Sequence, residues 1–64
     1  MTELIEEIRK QMRIKGISSE EMATVARIHL RTFYYRMQNP EQFRLGELVR
    51  MCRYLGINYE RKSK

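Results

Sequence analysis

Six of the nine residues from Leu30 to Gln38 carry side chains able to make directional polar contacts: Arg31, Thr32, Tyr34, Tyr35, Arg36 and Gln38. Phe33 and Met37 interrupt them four residues apart, one helical turn, and so belong to an opposite, inward stripe. A short helix with guanidinium, amide and hydroxyl groups on its free face has the chemistry needed to read base edges in the major groove of DNA. Arg31, in the first turn, is placed for a bidentate contact to guanine. Arg36 and Gln38 lie further along, in reach of phosphate or a second base. One of two adjacent tyrosines ordinarily packs partly against its own domain, so Tyr34 and Tyr35 are weighed equally for a nucleic-acid contact.

His29, just before this helix, is the single histidine, and Cys52 is the single cysteine. Together they provide no zinc-site spacing, so no metal site is expected. A phosphate or base contact, or a plain turn position, suits His29 better. There is no nucleophile–base pair, no acidic cluster at catalytic spacing and no glycine-rich phosphate loop. Neither an enzyme, nor a cofactor, nor a small-molecule ligand is expected. One cysteine cannot form an intramolecular disulfide, which suits a reducing, cytoplasmic compartment. No apolar run approaches the roughly 20 residues of a membrane helix, and the acidic start M-T-E-L-I-E-E-I does not resemble a signal peptide.

Four helices are predicted to position these groups, over residues 3–15, 19–26, 30–38 and 45–55. In the first, Leu4, Ile5, Ile8 and Met12 share a face, Thr2 stands as cap, and Gly16 is the natural stop. This helix reads as scaffold. The second begins with Ser18 and Glu21 at capping-box spacing, and Ile17 and Met22 can form a hydrophobic staple. Met22, Ala23 and Ala26 make its inward stripe, and the small Ala23 lets the next helix come close. A turn at Arg27-Ile28-His29 follows, with His29 as cap of the third helix and Ile28 and Phe33 as a second staple. Asn39 is expected in the left-handed conformation that ends the third helix, ahead of Pro40. Residues 40–44 read as a loop with Phe43 plugged into the core. In the fourth helix Leu45, Leu48, Val49, Cys52 and Leu55 form the expected buried stripe. Met51 and Tyr54 fall off it, exposed or in a dimer contact, and Gly56 ends the helix.

The chain has 64 residues, one domain at most, of which residues 1–57 form the predicted folded unit. So short a chain buries only about 60% of its extended surface, so modest stability is expected. The net charge is +5 and unevenly placed. Residues 1–26 carry four basic and five acidic side chains; residues 27–64 carry nine and three. The excess therefore begins where the donor-rich helix begins, which points to a polyanionic partner. The basic tail, residues 58–64, adds Arg61, Lys62 and Lys64 as nonspecific phosphate attraction.

These residues permit a family comparison. From about Ile5 to Gly56 the chain resembles the helix-turn-helix domain of phage-repressor and Cro-like (XRE-type) regulators. The matching features are E-E-M-A, Ile28 at the turn, T-F-Y-Y-R-M-Q-N-P, F-R-L-G-E-L and the closing R-Y-L-G-I. The resemblance implies an all-α, lambda-repressor-like fold: a compact four-helix, or five-helix, bundle whose third helix enters the major groove. Carried over by position, Arg31, Thr32, Tyr35 and Gln38 would face bases, with His29 and Tyr34 close by; Arg36 is expected at the backbone from its place along the helix. Ser19, at the start of the second helix, and the loop from Asn39 to Arg44 would approach phosphates. Arg27 stands where that family commonly has glycine, which predicts a strained or differently shaped turn. Arg44 stands where a Ser or Thr cap is common, and could offer its charge to a phosphate.

The function implied is a sequence-specific regulator on double-stranded DNA, acting as a homodimer on paired half-sites. A different class competes. A protein-binding module, such as an antirepressor or inhibitor, could use the same tyrosine- and arginine-rich face, because those residues are also favoured at protein hot spots.

Overall fold

The computed structural model describes residues 2–58, so the tail residues Arg61, Lys62 and Lys64 lie outside the described residues. It contains helices α1 (Thr2–Lys15), α2 (Ser19–Ala26), α3 (Leu30–Gln38) and α4 (Leu45–Leu55). A single 3-10 turn, Pro40–Gln42, occupies most of the segment read as a loop. The helix spans agree with the sequence-based ones except that α1 already includes Thr2, which is therefore not a residue ahead of the helix. No strand occurs among the described residues.

Helix ends are specified locally. Ser18 has extended backbone and its hydroxyl oxygen accepts the Glu21 N–H at 3.0 Å, which satisfies one orphan donor of α2. The reciprocal half of a capping box is replaced by another contact: the Glu21 carboxylate accepts the Tyr54 hydroxyl of α4. Three helices stop by one device. Gly16, Arg27 and Gly56 are left-handed, with φ of 68°, 66° and 78°. The N–H of the following residue, always an isoleucine, then reaches back five residues: Ile17 to Met12 at 2.9 Å, Ile28 to Ala23 at 3.0 Å, Ile57 to Cys52 at 2.8 Å. These are Schellman turns, and each isoleucine packs partly against the core as that motif favours. Arg27 is the one non-glycine with positive φ among the described residues, so the turn keeps the shape glycine would have given it and carries the strain of a side chain there.

α3 ends differently. Asn39 was expected to be left-handed, but its φ is −132°. Pro40 crowds the residue before it and drives it to the extended side of the map. The Asn39 side-chain Nδ2 instead donates to the Tyr35 carbonyl at 2.9 Å and closes the helix that way.

The core is assembled from Ile5, Ile8 and Met12 of α1, Met22, Ala23 and Ala26 of α2, Phe33 and Met37 of α3, Phe43, and one face of α4. α2 lies between α3 and α4, and α4 also packs on α1. Ala23, nearly fully buried, sits where α2 meets its neighbours. The α4 face needs correction. Met51 is fully buried, not exposed or reserved for a dimer, while Leu45 is 43% exposed and Val49 only half-buried. The true stripe is Leu48, Met51, Cys52 and Leu55, spaced i, i+3, i+4, i+7. Because α4 touches two helices, its buried face is rotated toward Met51, and Leu45 in the first turn falls beyond the edge of the bundle. Burial pushes the Cys52 thiol above its ordinary pKa, in keeping with a small core residue.

Candidate nucleic-acid interface

α3 lies at the surface with Phe33 and Met37 turned inward, at 2% and 8% exposure. Burying them aims the opposite side at solvent. Arg31, Tyr34, Tyr35 and Gln38 are exposed, and Thr32 is half-buried. Both tyrosines are about half exposed, 52% and 56%, so neither is sacrificed to the core. The Tyr34 ring leans on Phe33 at a centroid distance of 6.2 Å and a tilt of 57°, which steadies it.

The N-terminal end of α3 is open. His29 takes the cap position with extended backbone, but its side chain makes no capping hydrogen bond. Its carbonyl accepts the Phe33 N–H at 2.8 Å and starts the helix. His29, Leu30, Arg31 and Thr32 line a shallow depression there. First-turn amides without a side-chain acceptor, next to an exposed arginine, present a positive end to anions.

Arg36 is not free on the outward face. Its guanidinium is paired with the Glu47 carboxylate of α4, and its side chain is only 18% exposed. On a helix Arg36 follows Thr32 by one turn, and both lie at the margin of the buried face. Glu47 is 6% exposed. Its Oε1 also accepts the Arg44 backbone N–H at 3.0 Å, the reciprocal half of a capping box, which ties the residue ahead of α4 to its first turn. Burial alone would raise the Glu47 pKa. The Arg36 hydrogen bond, the Arg44 N–H and the two positive charges outweigh it and hold the carboxyl below its ordinary value of 4.5. The Arg44 side chain itself is exposed, as is that of His29; Ser19 and Asn39 are half-buried.

Sequence reasoning treated α1 as scaffold and missed part of this surface. Arg9, Arg13 and Ser19 line one cleft together with Tyr34 and Gln38 of α3. The Arg9 guanidinium also donates to the Met37 carbonyl at 3.3 Å, at the negative end of α3. The signal available was the i, i+4 spacing of Arg9 and Arg13, which puts both on one side of α1. The acidic first half of the chain thus contributes two cations beside the donor-rich helix. On the other side, Arg50 of α4 donates to the Ala26 carbonyl at 3.0 Å and braces the turn that leads into α3. Glu21, an acid near this surface, is engaged with Tyr54, and that hydrogen bond raises the tyrosine pKa.

Among the described residues no helix is long and apolar enough to cross a membrane, and no cluster of three His, Cys, Asp or Glu stands close enough to hold a metal. Comparison with curated proteins and with solved structures found no significant match. Residues 7–60 match the family model for the Cro/C1-type helix-turn-helix DNA-binding domain. That span includes α2, the Arg27 turn and α3 in full, as well as α4, whose contacts hold them. Two packed helices joined by a short turn, the second with a donor-bearing outer face, are the parts such a domain requires. The chain therefore belongs to the Cro/C1-type helix-turn-helix DNA-binding family.

Proposed function

We propose that this protein is a sequence-specific transcriptional regulator of the phage or prophage repressor or Cro type, acting in the cytoplasm, with α3 inserted in the major groove. The observation that carries this reading is the sidedness of α3: Phe33 and Met37 are buried while Arg31, Tyr34, Tyr35 and Gln38 are exposed. Arg31, Thr32, Tyr35 and Gln38 face the bases. Ser19, His29, Tyr34, Asn39 and Arg44 lie toward the phosphates, and Arg61 and Lys62 add attraction through their charge. Arg36 drops out of the backbone set because Glu47 occupies it.

A homodimer on a palindrome completes the proposal, with reading helices about 34 Å apart, one turn of the duplex. Selection of bound sequences from a random duplex pool at about 150 mM salt tests class and symmetry together. Enrichment of a palindrome is expected. Recovery of a single unpaired half-site refutes the dimer, and recovery of no preferred sequence refutes sequence-specific reading.

The two adjacent half-exposed tyrosines favour one alternative, a protein-binding module using the same face. Salt separates the two. Affinity for DNA falls log-linearly, on the order of a thousandfold between about 50 and 200 mM, when many phosphates are contacted. A partner held by aromatic anchors shows a far smaller change.

A further inference from the structure

Besides the burial of Met37, the C-terminal half of α3 is tied to α1 and α4 by polar contacts, Arg9 to the Met37 carbonyl and Arg36 to Glu47. α3 rests on α2 and on the 3-10 turn, whereas α4 packs along α2 and α1. The Arg36–Glu47 pair bridges α3 directly to α4 and is the one ion pair among the described residues. Glu47 is also the one buried charged residue among them. Its Oε1 takes both the Arg36 guanidinium and the Arg44 amide. A single carboxylate oxygen therefore joins three parts: the reading helix, the end of the 39–44 loop, and the first turn of α4.

Electrostatically this acid is misplaced. It lies in the basic part of the chain, beneath the face expected to meet a polyanion, where a negative charge weakens long-range attraction. Burying it requires that both partners stay in place, since losing one leaves an uncompensated charge. What the carboxylate offers in return is geometry.

We propose that Glu47 is a positioning residue for DNA recognition. Through Arg36 and the Arg44 amide it sets the angle of α3 against the 39–44 loop, so that base-reading and phosphate-contacting groups meet one duplex in register. Arg36 then acts as a strut and not as a phosphate ligand. The proposal rests on the DNA-binding reading above.

The two consequences of Glu47→Gln have opposite signs, which makes it a decisive variant. Removing a negative charge strengthens binding to any duplex. Losing the pin weakens binding only to the preferred sequence, because Tyr35 and Gln38 drift from their targets. Equilibrium binding to the selected site and to a random duplex is measured for each variant, well below its own melting midpoint. Glu47→Gln should bind random duplex at least as tightly as wild type and the selected site on the order of tenfold more weakly. Arg36→Gln should lower the same ratio, and the double variant should be no worse than either single one. If Glu47→Gln tightens both duplexes by one factor, Arg36 is a phosphate ligand released from Glu47, and the proposal is overturned. Additive losses in the double variant overturn it too. Should Glu47→Gln fail to fold, Arg36→Gln decides: loss of the ratio supports positioning, and equal loss on both duplexes refutes it. A wild type with no sequence preference overturns the DNA reading itself. A wild type that prefers its site beside a Glu47→Gln variant that keeps the ratio overturns the positioning role alone.

Discussion

Arg27→Gly should make this protein more stable. Arg27 holds φ at 66° and ψ at 42° between α2 and α3, in the same left-handed turn that Gly16 and Gly56 make after α1 and α4. For a residue with a Cβ that conformation costs about 1–2 kcal/mol. Glycine removes the strain but gives back about 0.4–1 kcal/mol through a more flexible unfolded chain. It also forfeits a few tenths from a cation near the C-terminal end of α2. The hydrogen bonds of the turn, Arg27 N–H to Thr24 and Ile28 N–H to Ala23, are backbone bonds and survive. The net gain is about 0.5 kcal/mol, a rise of roughly 2–4 °C in melting midpoint for a domain of this size. Gly16→Ala is the control. A Cβ at Gly16 would meet nothing within 4 Å, so that substitution sets backbone strain against the stiffer unfolded chain with no clash added, and it should lower the midpoint by a similar amount. Thermal melts followed by circular dichroism read both. If Arg27→Gly leaves the midpoint unchanged or lowers it while Gly16→Ala destabilises, the strain assigned to Arg27 is not there.

Two further outcomes are expected. Arg31→Ala should weaken specific binding by about 1–3 kcal/mol and relax one base preference, whereas Arg13→Gln should weaken all sequences alike and reduce the salt slope by about one; equal losses on specific and random DNA for Arg31→Ala would remove it from the base-reading set. Glu47 makes stability pH-dependent: its folded pKa lies below the ordinary 4.5, so its contribution is complete above that value and is lost as pH falls through the folded pKa. Melting midpoints of wild type and Glu47→Gln should therefore converge as the solution is acidified, and a gap that persists or widens at low pH would contradict the depressed pKa.

Much of the fold was legible in the chain because its signals are local. Ser18 three residues before Glu21, Gly16 and Gly56 after apolar stripes, and Pro40 beyond Gln38 mark helix ends through groups only a few residues apart. Phe33 and Met37, a turn apart, identified the buried side of α3 and so the side left to face a partner. Backbone geometry ties such residues together whatever the rest of the molecule does. The groups that set the condition of that free face are different. Arg36 meets Glu47 across eleven residues, Arg50 reaches Ala26 across 24, Arg9 reaches Met37 across 28, and Tyr54 reaches Glu21 across 33. Met51 changed from surface to core, and Leu45 from core to surface, for a related reason: periodicity defines a stripe but not how far it is rotated when two helices press on it. Spacing along the chain thus settles which side chains share a helix face. Which of them remain free to touch a partner depends on the angles at which helices pack, because those angles bring distant charges within hydrogen-bonding reach.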